Sequence, residues 1–250
     1  MHNFLDKLIM SAADAGIHGT VYNCVNTASF FAALLFSILN RKKFNIPFWQ
    51  VIIFVYLNDL FMGYVNQYVL WAGTGFKNFD ERNMAVSFAF IPVLALLLSF
   101  IFRKDYGNML DFFAFPPMVA HAVCRWACIF PGCCYGYECN FGIYNVFKST
   151  RLFPVQLLES AISITIVVVL MIVFKKQNSI SRGFLMPLML IMYGTARFFT
   201  EFLHDNKKIF IGISYVAYNC LFMVLVGIIL LFILKKRNKL RSDHYVSQKS

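Results

Sequence analysis

The sequence has few charged residues. Asp, Glu, Lys and Arg make up 14% of its 250 residues, whereas soluble domains carry about 25%. Hydrophobic residues make up 59% of the chain, and its mean hydropathy is +0.63. This balance excludes an ordinary water-soluble protein and predicts an integral membrane protein. At this length a single domain is expected.

Acidic residues are especially scarce. The chain has 12 Asp and Glu against 23 Lys and Arg, for a formal net charge of +11. The basic residues lie in short clusters between long apolar runs, which is the arrangement of the positive-inside rule rather than of a nucleic-acid interface. No nucleic-acid partner is therefore expected.

Most of the chain lacks cysteine, and the chain lacks internal repeats and low-complexity segments. Five of the seven cysteines lie within Cys124–Cys139, which excludes a disulfide framework spread through a small secreted fold. The N-terminal stretch carries Asp6 and Asp14 and has no basic segment followed by a short apolar core. No cleavable signal peptide is expected, so the first span is predicted to start insertion.

Long apolar runs are abundant. A helix needs about 20 mostly apolar residues to cross the hydrocarbon core. The predicted fold is an all-α membrane protein with about seven such spans: Thr20–Leu39, Phe48–Leu70, Met84–Phe102, Leu110–Phe130, Val155–Phe174, Gly183–Leu203 and Ile213–Leu234.

The basic residues predict the orientation of these spans. The loops after the first, third, fifth and seventh spans hold about twice as many Lys and Arg as the other side. This bias predicts an N-terminus outside and a cytoplasmic C-terminus. Six spans remain an alternative, and they would move the N-terminus across the membrane. Residues 1–237 are predicted to form one transmembrane domain and 238–250 a polar, disordered cytoplasmic tail.

Ionisable residues inside the spans concentrate in the fourth, fifth and sixth. His121, Cys124, Arg125 and Cys128 recur at the spacing of one helical face. This face is expected to point into the protein, because an arginine facing lipid is unfavourable. The loop that follows contains Gly132 and Gly136, and such a loop can bring backbone N–H groups close to an anion.

The neighbouring spans carry further polar residues. Arg197 and Glu201 are four residues apart and can pair, with Tyr193 one turn earlier. Gln156 and Glu159 lie on one side of the start of the fifth span. Two intramembrane arginines beside an acid favour a site for an anionic lipid head group, because the guanidinium fork binds phosphate through two parallel hydrogen bonds. The alternative is a set of structural ion pairs that tie the spans together.

The same residues carry a resemblance to the prolipoprotein diacylglyceryl transferase family. It covers roughly residues 111–205 and rests on three blocks. These are Asp111 with Arg125, Gly132 and Gly136; the segment FPVQLLE at 153–159, similar to the family's H-P-S-Q-L-Y-E; and YGTARFFTEF at 193–202, similar to Y-G-x-x-R-F-x-x-E-F.

The chain also departs from the family pattern. Cys128 and Cys133 stand where the family signature has Asn and Glu, and His204 stands where it has a distal Arg. The family's H-G-G motif near the third span is missing, with Ser87–Phe90 roughly in its place. The sequence resembles a cysteine-rich branch of the family.

The resemblance implies an enzyme. The family moves a diacylglyceryl group from phosphatidylglycerol to a cysteine thiol of a lipoprotein precursor. For this chain the resemblance implies phosphatidylglycerol or another anionic phospholipid as the donor. It acts at the outer face of the bacterial inner membrane, as a multi-pass protein and without a metal or other cofactor.

The resemblance also implies roles for individual residues. Arg125 and Arg197 would bind the phosphate, Glu201 would orient Arg197, and His121 is the only core histidine available as a base; a hydrogen-bonded structural histidine is the alternative. The implied substrate-binding residues are Asp111, Gly132, Gly136, Gln156, Glu159 and Tyr193.

The clustered cysteines allow other interpretations of the function of this chain. Cys128, Cys133 and Cys134 form a candidate thiol site, and Cys133 and Cys134 could take part in thiol–disulfide exchange. A soft metal ion such as zinc or copper(I) is another option, although the spacing matches no established metal motif and no metal ligands are assigned; the possible ligands are His121, Cys124, Cys128, Cys133, Cys134 and Cys139. Structural disulfides and plain packing are further options. A non-catalytic lipid-binding or transport protein on the same fold is also open.

Overall fold

The computed structural model describes residues 4–73, 87–176, 182–204 and 214–247, and it is mostly helical. A 3-10 turn at Arg41–Phe44 follows the second helix, and two strands lie between the sixth and seventh. Helices α1–α9 span Phe4–Asp14, His18–Asn40, Phe48–Gly73, Ile91–Ile101, Tyr106–Phe113, Pro116–Ala127, Val155–Lys176, Leu185–Glu201 and Tyr215–Ser247; strands β1 and β2 span Glu138–Asn145 and Thr150–Leu152.

Four stretches of these helices are long and apolar enough to cross a membrane. They match the first, second, fifth and seventh predicted spans by length and composition: His18–Phe44, Phe48–Val65, Val155–Lys176 and Tyr215–Lys239. Large apolar side chains remain exposed along them, for example Leu39 and Phe232 at 72% and 67%. Such surfaces are expected where lipid is the solvent.

Two of the remaining predicted spans are shorter in the structure. Helix α4 has 11 residues and begins at Ile91, and residues 84–86 of that predicted span lie outside the described part. Helix α8, in the sixth predicted span, has 17 residues. Residue 213 of the seventh predicted span is also outside the described residues. The count of seven and the orientation of the termini stay predictions.

The fourth predicted span is broken into two helices. Helix α5 ends at Phe113, and α6 begins anew at Pro116. Proline has no backbone N–H and clashes with the preceding turn, but it fits the first position of a helix. Pro116 and Pro117 thus begin a new helix within the stretch that the sequence predicted as one span, Leu110–Phe130.

A β-hairpin corrects the all-α prediction. Strands β1 and β2 pair antiparallel in the segment between the fourth and fifth predicted spans. Helix α1 is attached to this hairpin, because Asp6 accepts a hydrogen bond from the backbone N–H of Tyr144 at 3.0 Å and pairs with Arg151 at 2.6 Å. Strand β1 has 8 residues, but its sequence ECNFGIYN does not alternate between apolar and polar residues, and β2 has only 3 residues. The hairpin therefore had no clear signal in the sequence.

Loops from the opposite end of the bundle also contact one another. Asn108 Nδ2 donates to the carbonyl oxygen of Phe44, Arg182 Nη1 donates to Asn108 Oδ1, and Arg237 Nη2 donates to the carbonyl oxygen of Arg182. Phe44, Asn108, Arg182 and Arg237 follow the first, third, fifth and seventh predicted spans, respectively. Their grouping agrees with the predicted alternation of the loops.

Helices α8 and α9 approach closely. A Cβ on Gly194 would lie 2.7 Å from Val224 Cγ2, so only glycine allows this contact. Helix α9 then continues to Ser247, which makes the prediction of a disordered tail wrong for 238–247. Extending an existing helix is easier than nucleating one, and this segment contains good helix formers such as Lys, Arg and Leu.

Candidate active site

The candidate site lies where one end of α6 and α8 meets the beginning of α7. Helix α6 packs against α7, and α7 packs against α8. Arg125 Nε donates to His121 Nε2 at 3.0 Å, and the Cys124 thiol bonds the His121 carbonyl oxygen. His121 and Arg125 thus share the inward face that their four-residue spacing predicts.

Glu159 is the centre of the site. Its side chain is 2% exposed and stands on the second turn of α7. Glu159 Oε2 is 2.7 Å from Arg125 Nε, whereas Oε1 is 3.0 Å from Arg197 Nη1 and 3.1 Å from His204 Nε2. The carboxylate of Glu159 on α7 therefore contacts side chains from α6, from α8 and from His204, which lies three residues after the end of α8.

Arg197 and Glu201 pair as their spacing predicts, at 2.8 Å between Nη1 and Oε2. The hydroxyl of Ser214, just before α9, donates to Glu201 Oε1 at 2.7 Å. We call Arg125, Glu159, Arg197, Glu201 and His204 the ion cluster. Its two guanidinium groups balance its two carboxylates, and buried charges persist only when they are paired in this way.

The ion cluster retains guanidinium N–H groups that have no acceptor. Arg197 Nε is buried and makes no hydrogen bond with the described residues. The hydrogen bond of Arg125 to described residues uses Nε, which leaves its two Nη groups without one. The Arg125 side chain is 14% exposed and that of Arg197 is 6% exposed. These N–H groups suit the oxygens of a phosphate, and Arg125 is the more accessible of the two.

His121 is held on both ring nitrogens. Arginine can only donate a hydrogen bond, so the bond from Arg125 assigns the lone pair to Nε2 and the proton to Nδ1. Nδ1 lies 2.8 Å from Ser163 Oγ, and Tyr193 Oη lies 2.9 Å from Nε2. The predicted base is therefore fully hydrogen-bonded, and this geometry favours the structural alternative.

The two predicted glycines shape the loop after α6 in different ways. Gly132 has φ +68°, and a Cβ there would lie 2.6 Å from Phe147 Cδ2. Gly136 pairs with His204 in an isolated β-bridge, and its N–H donates to the Phe153 carbonyl oxygen. Because that N–H is already used, Gly136 serves to bring His204 beside Glu159 rather than to bind an anion directly.

Two buried amides fix the same loop. Gln156 Nε2 donates to the Cys133 carbonyl oxygen at 2.6 Å, and Asn145 Nδ2 donates to the Gly132 carbonyl oxygen at 3.0 Å. The side chains of Gln156 and Asn145 come from α7 and β1. Gln156 thus supports the loop, although the sequence predicted it as a substrate-binding residue.

The structure does not bring Asp111 to the ion cluster. Asp111 accepts hydrogen bonds from the backbone N–H groups of Gly183 and Leu185, at 2.8 and 3.0 Å. It therefore caps the beginning of α8, whereas Arg197 and Glu201 lie at its other end. A carboxylate at a helix N-terminus satisfies unpaired N–H groups and the helix dipole, which explains a buried acid there.

The three predicted cysteines do come together. The Sγ atoms of Cys128, Cys133 and Cys134 lie within 4.8 Å of one another, and we call these residues the thiol cluster. Cys128 ends α6, and the other two are exposed in the following loop. Hydrogen bonds from the thiols of Cys128 and Cys133 favour the thiolate of Cys134 and lower its pKa.

Sequence reasoning missed three partners of the site. His204 was noted only as a departure from the family pattern, yet it contacts Glu159; Ser163 and Ser214 were not singled out at all. Ser163 lies four residues after Glu159 and Ser214 lies just before α9. A search for polar residues one helical turn from each intramembrane acid would have found Ser163, whereas no local signal points to Ser214.

The helices and the ion cluster define a class: a helical membrane protein with a buried arginine–carboxylate site at one end of its bundle. A family model described as prolipoprotein diacylglyceryl transferase matches residues 62–233, and the chain belongs to this family. Members are membrane-integral transferases, and the helices long enough to cross a membrane agree with this membership.

Similar proteins carry the corresponding name. Phosphatidylglycerol–prolipoprotein diacylglyceryl transferase 2 of Clostridium perfringens (strain 13 / Type A) is 28% identical over 119 residues, which are 45% of this chain and 46% of that protein. Phosphatidylglycerol–prolipoprotein diacylglyceryl transferases of Streptococcus pyogenes serotypes M5 (strain Manfredo) and M1 are each 26% identical over 185 residues, 68% of this chain and 71% of theirs. The match thus spans about half the length of the clostridial relative and 71% of the length of the streptococcal relatives.

Proposed function

We propose that this chain transfers a diacylglyceryl group from phosphatidylglycerol to the cysteine thiol of a lipoprotein precursor, as a multi-pass protein at the outer face of the bacterial inner membrane. The observation that carries the proposal is the ion cluster, in which Glu159 holds two arginines from different helices while N–H groups of both arginines have no acceptor among the described residues. The names of the similar transferases supply phosphatidylglycerol as the donor and a prolipoprotein as the acceptor.

The ion cluster would bind the phosphate of the donor lipid. The Nη groups of Arg125, the more accessible of the two arginines, would meet the phosphate first, and Arg197 Nε would supply a second donor from the buried side. Glu159 and Glu201 keep both guanidinium groups in place before the lipid arrives. Donors that are positioned in advance stabilise the charge that develops on the leaving phosphate.

The transfer itself is a substitution at the glyceryl carbon. The acceptor thiol loses its proton to water, because the thiolate is the nucleophile. Its sulfur forms a bond to the glyceryl carbon as the carbon–oxygen bond to phosphate breaks. Glycerol phosphate leaves with the electron pair, and its new negative charge stays opposite the two arginines.

Complementation tests this proposal. The chain is expressed in a bacterium depleted of its own prolipoprotein diacylglyceryl transferase, and lipoprotein modification is followed by gel shift. We expect rescue by the unchanged chain and by the control Arg103→Ala, which removes an exposed arginine from the turn after α4. Arg125→Ala and Arg197→Ala are expected to lower turnover about 10²–10³-fold, the usual effect of losing a donor to developing charge.

Arg125→Lys separates a phosphate-binding role from a folding defect. Lysine keeps the positive charge beside Glu159 but loses the planar fork. We expect normal insertion and expression with clearly reduced modification. The proposal would be overturned if Arg125→Ala, Arg197→Ala and Arg125→Lys all rescue as well as the original chain does. It would also be overturned if the original chain inserts into the membrane but does not rescue. Phospholipid binding without turnover would instead favour the lipid-binding alternative.

A further inference from the structure

The thiol cluster has the geometry of a metal site. Three sulfur atoms from Cys128, Cys133 and Cys134 lie within 4.8 Å of one another. Zinc–thiolate bonds of about 2.3 Å in a tetrahedral site place sulfur atoms about 3.8 Å apart. An inward movement of an ångström or less by each side chain would therefore bring three sulfurs into one coordination sphere.

The backbone of this loop is arranged to keep the three sulfurs together. Cys134 has φ +61°, a conformation that non-glycine residues adopt rarely, and Gly132 has φ +68° two residues earlier. Side-chain amides of the buried residues Gln156 and Asn145 hold the carbonyl oxygens of Cys133 and Gly132. Supporting hydrogen bonds of this kind orient the ligands of a metal site.

The chemistry of the cluster favours a soft divalent cation. A disulfide would join only two of the three sulfurs and leave the third unused. Three thiolates and one Zn²⁺ carry a formal charge of −1, and the guanidinium of Arg125, three residues before Cys128, supplies positive charge near the cluster. Soft thiolate ligands select zinc over hard cations such as Mg²⁺.

We propose that Cys128, Cys133 and Cys134 bind one Zn²⁺ ion and leave its fourth coordination position open to an external thiol. The exposure of Cys133 and Cys134 puts this position on the accessible side of the loop. Zinc sites with three protein ligands keep the fourth position for water or substrate. The identity of that thiol as the acceptor cysteine rests on the proposed function.

In this arrangement the zinc activates the acceptor. A zinc ion held by the three cysteines would lower the pKa of the acceptor thiol, whose proton would go to solvent, because metal-bound thiols are deprotonated. The thiolate sulfur would form its bond to the glyceryl carbon as the carbon–oxygen bond to phosphate breaks, and glycerol phosphate would leave with the electron pair.

Metal binding by the purified full chain tests the site. The reduced protein in detergent is stripped with a chelator and titrated with Zn²⁺, and with Co²⁺ as a spectroscopic probe. We expect one ion per chain and a thiolate-to-cobalt charge-transfer band. Cys128→Ser, Cys133→Ser and Cys134→Ser should each lose the band, whereas Cys124→Ser on the preceding turn should keep it.

A second titration tests the open position. A peptide with one cysteine is expected to change the spectrum of the cobalt protein, and the same peptide with serine is not. Absence of binding by protein whose three thiols are shown by alkylation to be free would overturn the inference. Retention of the band in all three serine variants, or a native disulfide within the cluster by mass spectrometry, would overturn it as well.

These results are independent of the complementation assay. Cobalt binding without rescue would leave the metal site standing and remove the transferase proposal. Rescue without metal binding, in protein with free thiols, would have the opposite meaning. The control variant Cys139→Ser, in β1 and outside the cluster, is expected to leave both measurements unchanged.

Discussion

A buried carboxylate that pairs with two guanidinium groups neutralises more positive charge than a carboxylate that pairs with one. Its loss is therefore expected to lower stability more. Glu159 pairs with two guanidinium groups, those of Arg125 and Arg197. Loss of Glu159 removes the carboxylate that faces Arg125 in the described part of the chain, whereas loss of Glu201 leaves Arg197 with Glu159. Loss of one partner from a buried pair leaves an uncompensated charge, which is strongly unfavourable. The two acids of the ion cluster therefore differ in their importance for stability.

Glu159→Ala is expected to destabilise the protein by about 3–5 kcal/mol, the range for breaking a buried ion pair. Glu201→Ala should lower stability less, because Arg197 still has Glu159 as a partner. Thermal unfolding of both variants in detergent, followed by the loss of monodisperse protein, checks this order. Equal losses would contradict the central position of Glu159.

Gly136→Ala is expected to disturb the site without changing a charged residue. A Cβ on Gly136 would lie 2.5 Å from the Leu203 carbonyl oxygen, so the bridge that carries His204 must shift. Overpacking of this kind costs about 1–3 kcal/mol. Gly63→Ala is the matched control, because nothing lies within 4 Å of a Cβ there. We expect lower thermal stability in the first variant and an unchanged or higher one in the second.

Individual site residues differ in how far the sequence predicted them. The spacing of Arg197 and Glu201, and of His121 and Arg125, gave their shared faces directly, since helical geometry relates residues four apart. The position of His204 beside Glu159 depends on the β-bridge with Gly136, which joins residues 68 positions apart. Contacts of this kind arise from tertiary structure, so no local pattern predicts them.

At the scale of elements, the hairpin connects the N-terminal helix to the site. Asp6 binds the hairpin through Arg151 and Tyr144, and Asn145 of β1 holds the loop that carries the thiol cluster. The strands and the separation of α5 from α6 were the elements that sequence reasoning did not foresee. The sequence of β1 does not alternate between apolar and polar residues, and β2 has only 3 residues. A proline pair is compatible with both a kink and a break in a helix.

Asp6→Ala is expected to release α1 from the hairpin. The variant loses the 2.6 Å pair with Arg151, and the backbone N–H of Tyr144 loses its acceptor. We expect faster hydrogen exchange and faster protease cleavage within Phe4–Asp14, with little change in α7 or α8. Uniform acceleration through the whole protein would contradict a local role for this contact.

At the scale of the whole molecule, the contacts divide the loops between two ends of the helix bundle. Phe44, Asn108, Arg182 and Arg237 are linked at one end, and α1 joins the hairpin at the other. The seven predicted spans would place these two groups of contacts on opposite sides of the membrane, and this alternation stays a prediction. The charge bias predicts which end faces the cytoplasm.

Epitope tags in intact spheroplasts test this orientation. A tag in the β1–β2 turn, after Phe147, is expected to react with an external antibody. A tag after Arg103, in the turn between α4 and α5, should react only after the membrane is permeabilised. The reverse pattern would contradict the predicted orientation, and reaction of both tags without permeabilisation would contradict the alternation of the loops.

The pair between Asp6 and Arg151 also affects the order in which the protein assembles. The two residues are 145 positions apart. At about 5–20 residues per second, Arg151 is synthesised roughly 7–30 s after Asp6. During that interval α1 has no hairpin to bind, and its apolar side chains remain exposed to proteases and chaperones on the side where it emerges. Docking of α1 onto the hairpin is therefore a late event in biogenesis, because it waits until the hairpin residues have been synthesised.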